Sequence, residues 1–501
     1  MRDGRRVVEQ ARALRPVGDR AQSVILFVGD GMGVATVTAA RIFEGQQRGE
    51  RGEENSLSFE TLPYLALVKT YNTDAQTPDS AGTMTAMMTG AKTRAGVIGV
   101  DQAVVRGQVE PVARNRLQTL LELAETRGLS TGVVTTTRLT HATPACCYAH
   151  AADRNWESDA ALPAAARETG AADIARQLIE FPFGDGLEVA LGGGRSMFRP
   201  FGAPDPEDGT VTGVRRDGRD LSAEWLRRDG AAYVWNKSQF DGIDAARTKH
   251  LLGLFDPSHM EYEHDRGADT AGEPSLTQMT VKAIEILSRN PKGFFLMVEA
   301  GRIDHAHHAA NAYRALNETV ELSNAVRVAL QRTKADETLI IVTADHSHTM
   351  TISGYAPRGH PILGKASTAD GSPATDATGR PYATLAYANG PGYSGASASQ
   401  PEGPKVFPHF PVGFKPAEKG RPDLSDVDTC DPNHLQECGV PLQSETHGGE
   451  DVPLYAGGPA AHLFHGVIEQ NVIYHVMAFA LRLDAEPADA SAARIETAED
   501  R

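Results

Sequence analysis

The chain has 501 residues, 41% hydrophobic and 23% charged, which fits one very large α/β domain with insertions or two or three smaller domains. A formal net charge of −16 with no long basic stripe argues against a nucleic-acid surface. The longest apolar runs, such as 293–298 and 339–342, fall far short of the ~18 residues of a membrane span.

In chain order, residues 1–22 are basic and polar and do not read as a secretory signal. Weak helical periodicity over 5–14 marks an N-terminal arm (1–20) that could lie on a partner subunit. The apolar run 23–28 ends in Gly29-Asp30-Gly31-Met32-Gly33, which reads as a buried parallel strand delivering Asp30 at its carboxyl end. Thr77-Pro78-Asp79-Ser80-Ala81-Gly82-Thr83 precedes a helix-prone run at 84–91. Ser80 there is either a helix cap or a nucleophile whose anion a helix start would favour, and capping is the commoner role for such a serine.

Further strands are expected at 131–137, 187–191, 294–298 and 339–343. Those at 294–298 and 339–343 lead into Glu299 and into Asp345-His346-Ser347-His348. The glycine run 192–194 lacks the lysine and hydroxyl ending of a phosphate loop and reads as a strand-end turn. Helical patterns at 117–127, 171–179, 276–287 and 312–330 separate the strands. This alternation predicts an α/β fold, a large, mostly parallel central sheet with helices on both faces. Ligands in such folds bind beyond the carboxyl ends of the strands, where Asp30, Glu299 and Asp345 all fall.

From about 351 to 446 the chain turns rich in Gly, Pro, Ser and Ala, with one strand-like stretch at 382–387. That segment reads as a loop-rich, crown-like inserted subdomain in a core made of 21–350 and 447–484. The core resumes with a strand at 453–456 and an amphipathic segment at 466–483, and the acidic tail occupies 485–501. Four cysteines do not define a disulfide scaffold. Cys146 and Cys147 are adjacent, whereas Cys430 and Cys438 bracket a short loop and could pair.

The densest chemistry is Glu299-Ala300-Gly301-Arg302-Ile303-Asp304-His305-Ala306-His307-His308. Asp304 and His308 at i, i+4 share one helical face and need only a third ligand to hold Zn²⁺ with an open position. Asp345-His346 offers a second carboxylate–imidazole pair. His447, in Glu445-Thr446-His447-Gly448-Gly449-Glu450-Asp451, could supply the missing ligand. Thr143 with carboxylates suits Mg²⁺, and Arg154 could fork a phosphate or pair with Asp153.

Five motifs taken in order, around Asp30, Ser80, Asp304, Asp345 and His447, closely resemble alkaline phosphatase over about residues 20–483. The resemblance implies that Ser80 is the phosphorylated nucleophile and that Arg154 clamps phosphate. Asp304, His308 and His447 would hold a water-activating zinc, and Asp30, Asp345 and His346 a zinc that binds the nucleophile. Asp30, Thr143 and Glu299 would hold Mg²⁺. His141, His305 and His348 stand behind these ligands, and the first two match the animal-type branch. Imidazole at 141 shifts the third site towards Zn²⁺. The same comparison implies a peripheral Ca²⁺ held by Glu224, the Phe255 carbonyl, Asp256 and Glu273.

Cofactors would therefore be two Zn²⁺, one Mg²⁺ and one Ca²⁺. Four carboxylates, three divalent ions and one guanidinium leave the catalytic pocket roughly +3, which reconciles an acidic protein with a phosphate dianion. The expected reaction is hydrolysis of phosphate monoesters through phosphoserine, with transfer to alcohols, by an exported, periplasmic or secreted homodimer. A related phosphodiesterase or sulfatase is the competing enzyme reading, and a catalytically silent metal-binding or interaction protein is the competing reading from another class.

Overall fold

A computed structural model describes residues 2–484, so the acidic tail expected at 485–501 lies outside the described residues. Strands β1 (Ser23–Gly29), β2 (Tyr64–Lys69), β3 (Ser130–Arg138), β4 (Val189–Gly193), β5 (Ala231–Val234), β6 (His250–Leu254), β7 (Phe294–Ala300) and β8 (Thr338–Thr343) build most of one sheet. After them come β9 (Ser347–His348), β10 (Met350–Ile352), β11 (Leu385–Gly390), β12 (Cys438–Pro441), β13 (His447–Gly448), β14 (Val452–Gly457) and β15 (Gly466–Glu469). The ten-stranded sheet runs β15-β2-β14-β8-β1-β7-β3-β4-β6-β5. Its strands are parallel except β14, which runs antiparallel to both β8 and β2.

The centre of the sheet is buried on both faces. Every residue of β1, β7 and β8 is inaccessible or nearly so, which is why these strands are continuous apolar runs rather than alternating ones. The helices Leu276–Leu287 and Ala312–Arg332 pack on each other and cover one face. Ser80–Thr89 and Val472–Leu481 meet on the other. Ser275 and Gln278 form a reciprocal capping box on the helix at 276–287, so its expected limits coincide with the observed ones.

Register brings the chemistry together. Val28 pairs with Glu299 on one side and Thr343 on the other, and Glu299 pairs in turn with Thr135. Asp30, Glu299 and Asp345 therefore emerge from three adjacent strands at one edge. The short pair β9–β13 sets His447 opposite His348, which draws the chain around His447 back to the same edge.

Several expectations shift. The segment 466–483 is not one amphipathic helix. Its start pairs with β2 as strand β15, and a separate helix, Val472–Leu481, follows. Gly192 and Gly193 belong to β4, leaving Gly194 as the turn. The strand expected at 382–387 sits at Leu385–Gly390, in a three-stranded sheet β10-β11-β12. Strands β2, β5 and β6 lie outside the runs expected to be strands. In β2, Leu65 and Leu67 face outward, so burial does not follow hydrophobicity. All four cysteines are free, Cys430 exposed and Cys438 buried.

Candidate active site

Ser80 opens the helix Ser80–Thr89 and is only 2% exposed. It is not the cap. Asp79 has extended backbone and its Oδ1 accepts from Gly82 N at 3.1 Å, so the helix start is satisfied by the residue before the serine. Ser80 Oγ is thereby free, and it lies 3.3 Å from His346 Nε2. Gly82 is required here because a Cβ would fall 1.6 Å from Asn72 Nδ2. Asn72 Oδ1 in turn accepts from Asp79 N, fixing the turn that presents the serine.

Three histidines face the same cavity with one tautomer. His308 Nδ1 donates to the Glu445 carbonyl at 2.5 Å, His447 Nδ1 to the Pro78 carbonyl at 2.7 Å, and His346 Nδ1 to the Ser347 carbonyl at 3.3 Å. Each Nε2 is left with its lone pair turned inward, the arrangement of metal-ligating imidazoles. The Nε2 atoms of His308 and His447 stand 3.2 Å apart, and Asp304 Oδ1 lies 3.2 and 3.5 Å from them. His346 Nε2 is 3.3 Å from both Asp30 Oδ1 and Asp345 Oδ2. Lone pairs and carboxylates so close together repel unless a cation lies among them. The ligand atoms of Asp304, His308, His348 and His447 are close enough for one ion, as are those of Asp30, Asp304 and His346.

A third set, Asp30, His141 and Glu299, meets the same condition. Asp30 Oδ1, Glu299 Oε1 and His141 Nδ1 are all buried without a hydrogen-bond partner. Thr143 Oγ1 stands 3.5 Å from Asp30 Oδ2, and Thr135 donates a very short bond to Glu299. Burial first, then Asp345, Asp304 and Glu299, push the Asp30 carboxyl well above its usual range. Burial likewise raises Glu299 to about 7 and raises Asp345. Burial works against Asp304 too, but the surrounding imidazoles hold its carboxyl well below the usual range. Unpartnered buried carboxylates of raised pKa are groups that a cation would complete, so the residues present fit metal ions.

Arg154 does not pair with Asp153, which Arg106 takes with two bonds. Its Nη1 instead reaches Asp79 Oδ2 at 3.1 Å, and its Nη2 reaches His141 Nε2 at 3.1 Å. The guanidinium is thus held beside the serine. His348 stands behind Asp304, donating from Nε2 to Oδ1 at 2.8 Å. His305 accepts from Arg302 and packs edge-on against His259, whose ring also meets His141. His307, in the same motif, is occupied elsewhere by Thr36 and Tyr387.

The expected calcium ligands are only partly gathered. Burial, with Glu261 nearby, pushes Asp256 up to about 6, and burial, with Asp256 and Asp269 nearby, pushes Glu273 up to about 9. Glu224 is instead engaged by Arg219 through both oxygens at 2.9 and 2.6 Å. Asp79, Glu445 and His259 are the contributors that sequence reasoning missed. Asp79 and Glu445 belong to the motifs around Ser80 and His447, but their roles are visible only through partners remote in sequence.

A sheet that delivers acids and histidines from remote segments around one buried serine defines a metal-dependent hydrolase. The family model described as "Alkaline phosphatase" matches residues 21–483. The chain is 44% identical over 483 residues to the alkaline phosphatase of Gadus morhua, covering 95% of each protein. It is 45% identical over 481 residues to the tissue-nonspecific alkaline phosphatase of Gallus gallus, covering 94% of this chain and 87% of that one. Among solved structures, the Thermus thermophilus alkaline phosphatase superposes with a TM-score of 0.64 at 24% identity, covering 97% of each chain, and supports the fold. The chain belongs to the alkaline phosphatase family, metal-dependent hydrolases of phosphate monoesters.

Proposed function

We propose that this chain hydrolyses phosphate monoesters by way of a phosphoserine at Ser80 and also passes the phosphoryl group to alcohols. The observation that carries this reading is the uncapped Ser80 Oγ, 3.3 Å from an inward-facing imidazole nitrogen at the start of a helix. Asp304, His308 and His447 would hold one Zn²⁺ and Asp30, Asp345 and His346 a second. Asp30, Thr143 and Glu299 would hold Mg²⁺, with His141 near enough to make Zn²⁺ a competitor there. When bound, these ions supply positive charge at the attacking and leaving oxygens and lower the pKa of hydroxyls and water.

Arg154, anchored by Asp79, orients two phosphoryl oxygens towards Ser80. In the first displacement Ser80 Oγ bonds to phosphorus as the ester P–O bond breaks. The serine proton goes to solvent, and the departing oxygen takes one proton from solvent and leaves as the alcohol. In the second, water oxygen bonds to the same phosphorus as the Ser80 Oγ–P bond breaks, and Ser80 regains a proton. Two in-line inversions give net retention, and an alcohol replacing water gives a new ester.

The remaining parts of the reading are a core of 21–350 and 447–484, an inserted subdomain at 351–446, and an exported homodimer that the helix Arg2–Ala13, exposed from residue 4 onward, would help to join. No helix among the described residues is long and apolar enough to cross a membrane. A peripheral Ca²⁺ would use the Phe255 carbonyl, Asp256 and Glu273, with the place given to Glu224 left to another ligand. Turnover of an aryl phosphate, its methyl diester and the aryl sulfate tests the reaction class. The phosphate should dominate, whereas a preference for diester or sulfate would overturn the proposal.

A further inference from the structure

Glu445 belongs to none of the ion-holding sets above, yet it is 1% exposed and sits directly behind one of them. Its Oε2 accepts from His348 Nδ1 at 2.5 Å, and Oε1 accepts from Thr349 N at 2.7 Å and Thr349 Oγ1 at 2.5 Å. His348 carries the contact onward to Asp304 Oδ1 at 2.8 Å. The ring of His348 has little freedom to do otherwise. It packs on Gly31, where a Cβ would fall 2.4 Å from its Cδ2 and Nε2. The backbone of Glu445 makes a second connection. Its carbonyl accepts from His308 Nδ1 at 2.5 Å, and its N–H donates to the His308 carbonyl at 2.9 Å. One residue therefore touches both Asp304, through one imidazole, and His308, directly.

We propose that Glu445 is the positioning residue of the first ion, orienting Asp304 through His348 while its backbone fixes the ring of His308. The inference rests on the reading that Asp304, His308 and His447 share an ion. Outer partners of metal ligands fix ligand orientation, and their loss typically costs about 10–100-fold in metal affinity. The alternative is a buried acid that merely shapes the Thr349 turn, and that role would leave ion affinity unchanged.

The two roles separate by substitution. In Glu445→Gln the amide oxygen can accept from Thr349 while the NH₂ donates to a neutral His348 Nδ1, so the hydrogen bond from His348 Nε2 to Asp304 survives. In Glu445→Ala the chain is broken at its first link. Zn²⁺ affinity of the purified full-length protein is measured by competition with a chromophoric chelator, alongside the visible absorption of Co²⁺-loaded protein. Glu445→Ala should weaken one ion about 10–100-fold and alter its cobalt bands, while Glu445→Gln stays within a few-fold of the parent. Unchanged affinity in Glu445→Ala would overturn the inference. Should that variant not fold, His348→Asn carries the test. It should weaken the same ion, and an unaltered affinity would overturn the inference equally. Asp304→Asn serves as the control. If it too retains every ion, the underlying ligand assignment is wrong, whereas loss of one ion in Asp304→Asn but not in Glu445→Ala defeats only the role of Glu445.

Discussion

Asp79 and Arg154 are joined through one carboxylate oxygen, Nη1 to Oδ2 at 3.1 Å, while the other oxygen takes the backbone N–H groups of Gly82 and Gly96. A single side chain thus starts the helix that carries Ser80 and anchors the Arg154 guanidinium. The proposed nucleophile and the proposed clamp are positioned by the same residue.

Separate substitutions should divide these duties. Asn is as good a cap as Asp, so Asp79→Asn should retain thermal stability yet loosen Arg154, raising KM and the inhibition constant of inorganic phosphate up to about tenfold. Asp79→Ala should add a stability loss of about 1 kcal/mol. Steady-state kinetics with phosphate inhibition, together with thermal melts, check both. Equal phosphate affinity in Asp79→Asn and the parent would show that Arg154 does not depend on this bond.

Much of this site was legible in the sequence because acids and histidines follow directly on apolar strands. The continuous runs of β1, β7 and β8 located Asp30, Glu299 and Asp345, and the i, i+4 spacing of Asp304 and His308 fell on one helix, Arg302–His308. What stayed hidden depends on three-dimensional partners. No local pattern shows that Asp79 rather than Ser80 caps the helix, that Arg154 turns from the adjacent Asp153 to Asp79, or that Arg219 claims Glu224. The split of 466–483 into strand and helix likewise follows from pairing with β2, an interaction remote in sequence.

Metal removal should make stability fall with rising pH. Burial raises Asp30 and Asp345 above their unfolded values and lifts Glu299 to about 7, so in the ion-free protein these carboxyls are favoured in their protonated forms. Their contribution is complete below about pH 4 and is lost as pH rises through the raised values, which for Glu299 means through about 7. His348, raised to about 9 by its two carboxylate partners against the effect of burial, adds a loss at higher pH. Bound ions replace the protons, so the gap in Tm between loaded and chelated protein should widen from pH 5 to pH 9. For a chain of this size each ~1 kcal/mol moves Tm by only about 1 °C. A gap that narrows with pH contradicts the assignment of these carboxylates as ligands.

Calcium provides an independent check on the peripheral acids. With Asp256 at about 6 and Glu273 at about 9, Ca²⁺ must displace protons, so its affinity should rise between pH 6 and pH 9. Glu273→Gln should abolish the rise in Tm that Ca²⁺ produces. Glu224→Ala should leave that rise intact, because Glu224 is committed to Arg219. Melts with added Ca²⁺ in a zinc- and magnesium-loaded protein read out both, and a dependence on Glu224 but not Glu273 would reverse the assignment.

The central claim is that the phosphoryl group passes through Ser80, and the direct measurement is acid-quenched peptide mass spectrometry of the metal-loaded protein during turnover of an aryl phosphate. The account predicts one phosphorylated peptide, modified at Ser80, and its disappearance with nearly all activity in Ser80→Ala. A Ser80→Ala protein of parental activity, or a phosphoryl group trapped on another residue and none on Ser80, would contradict it.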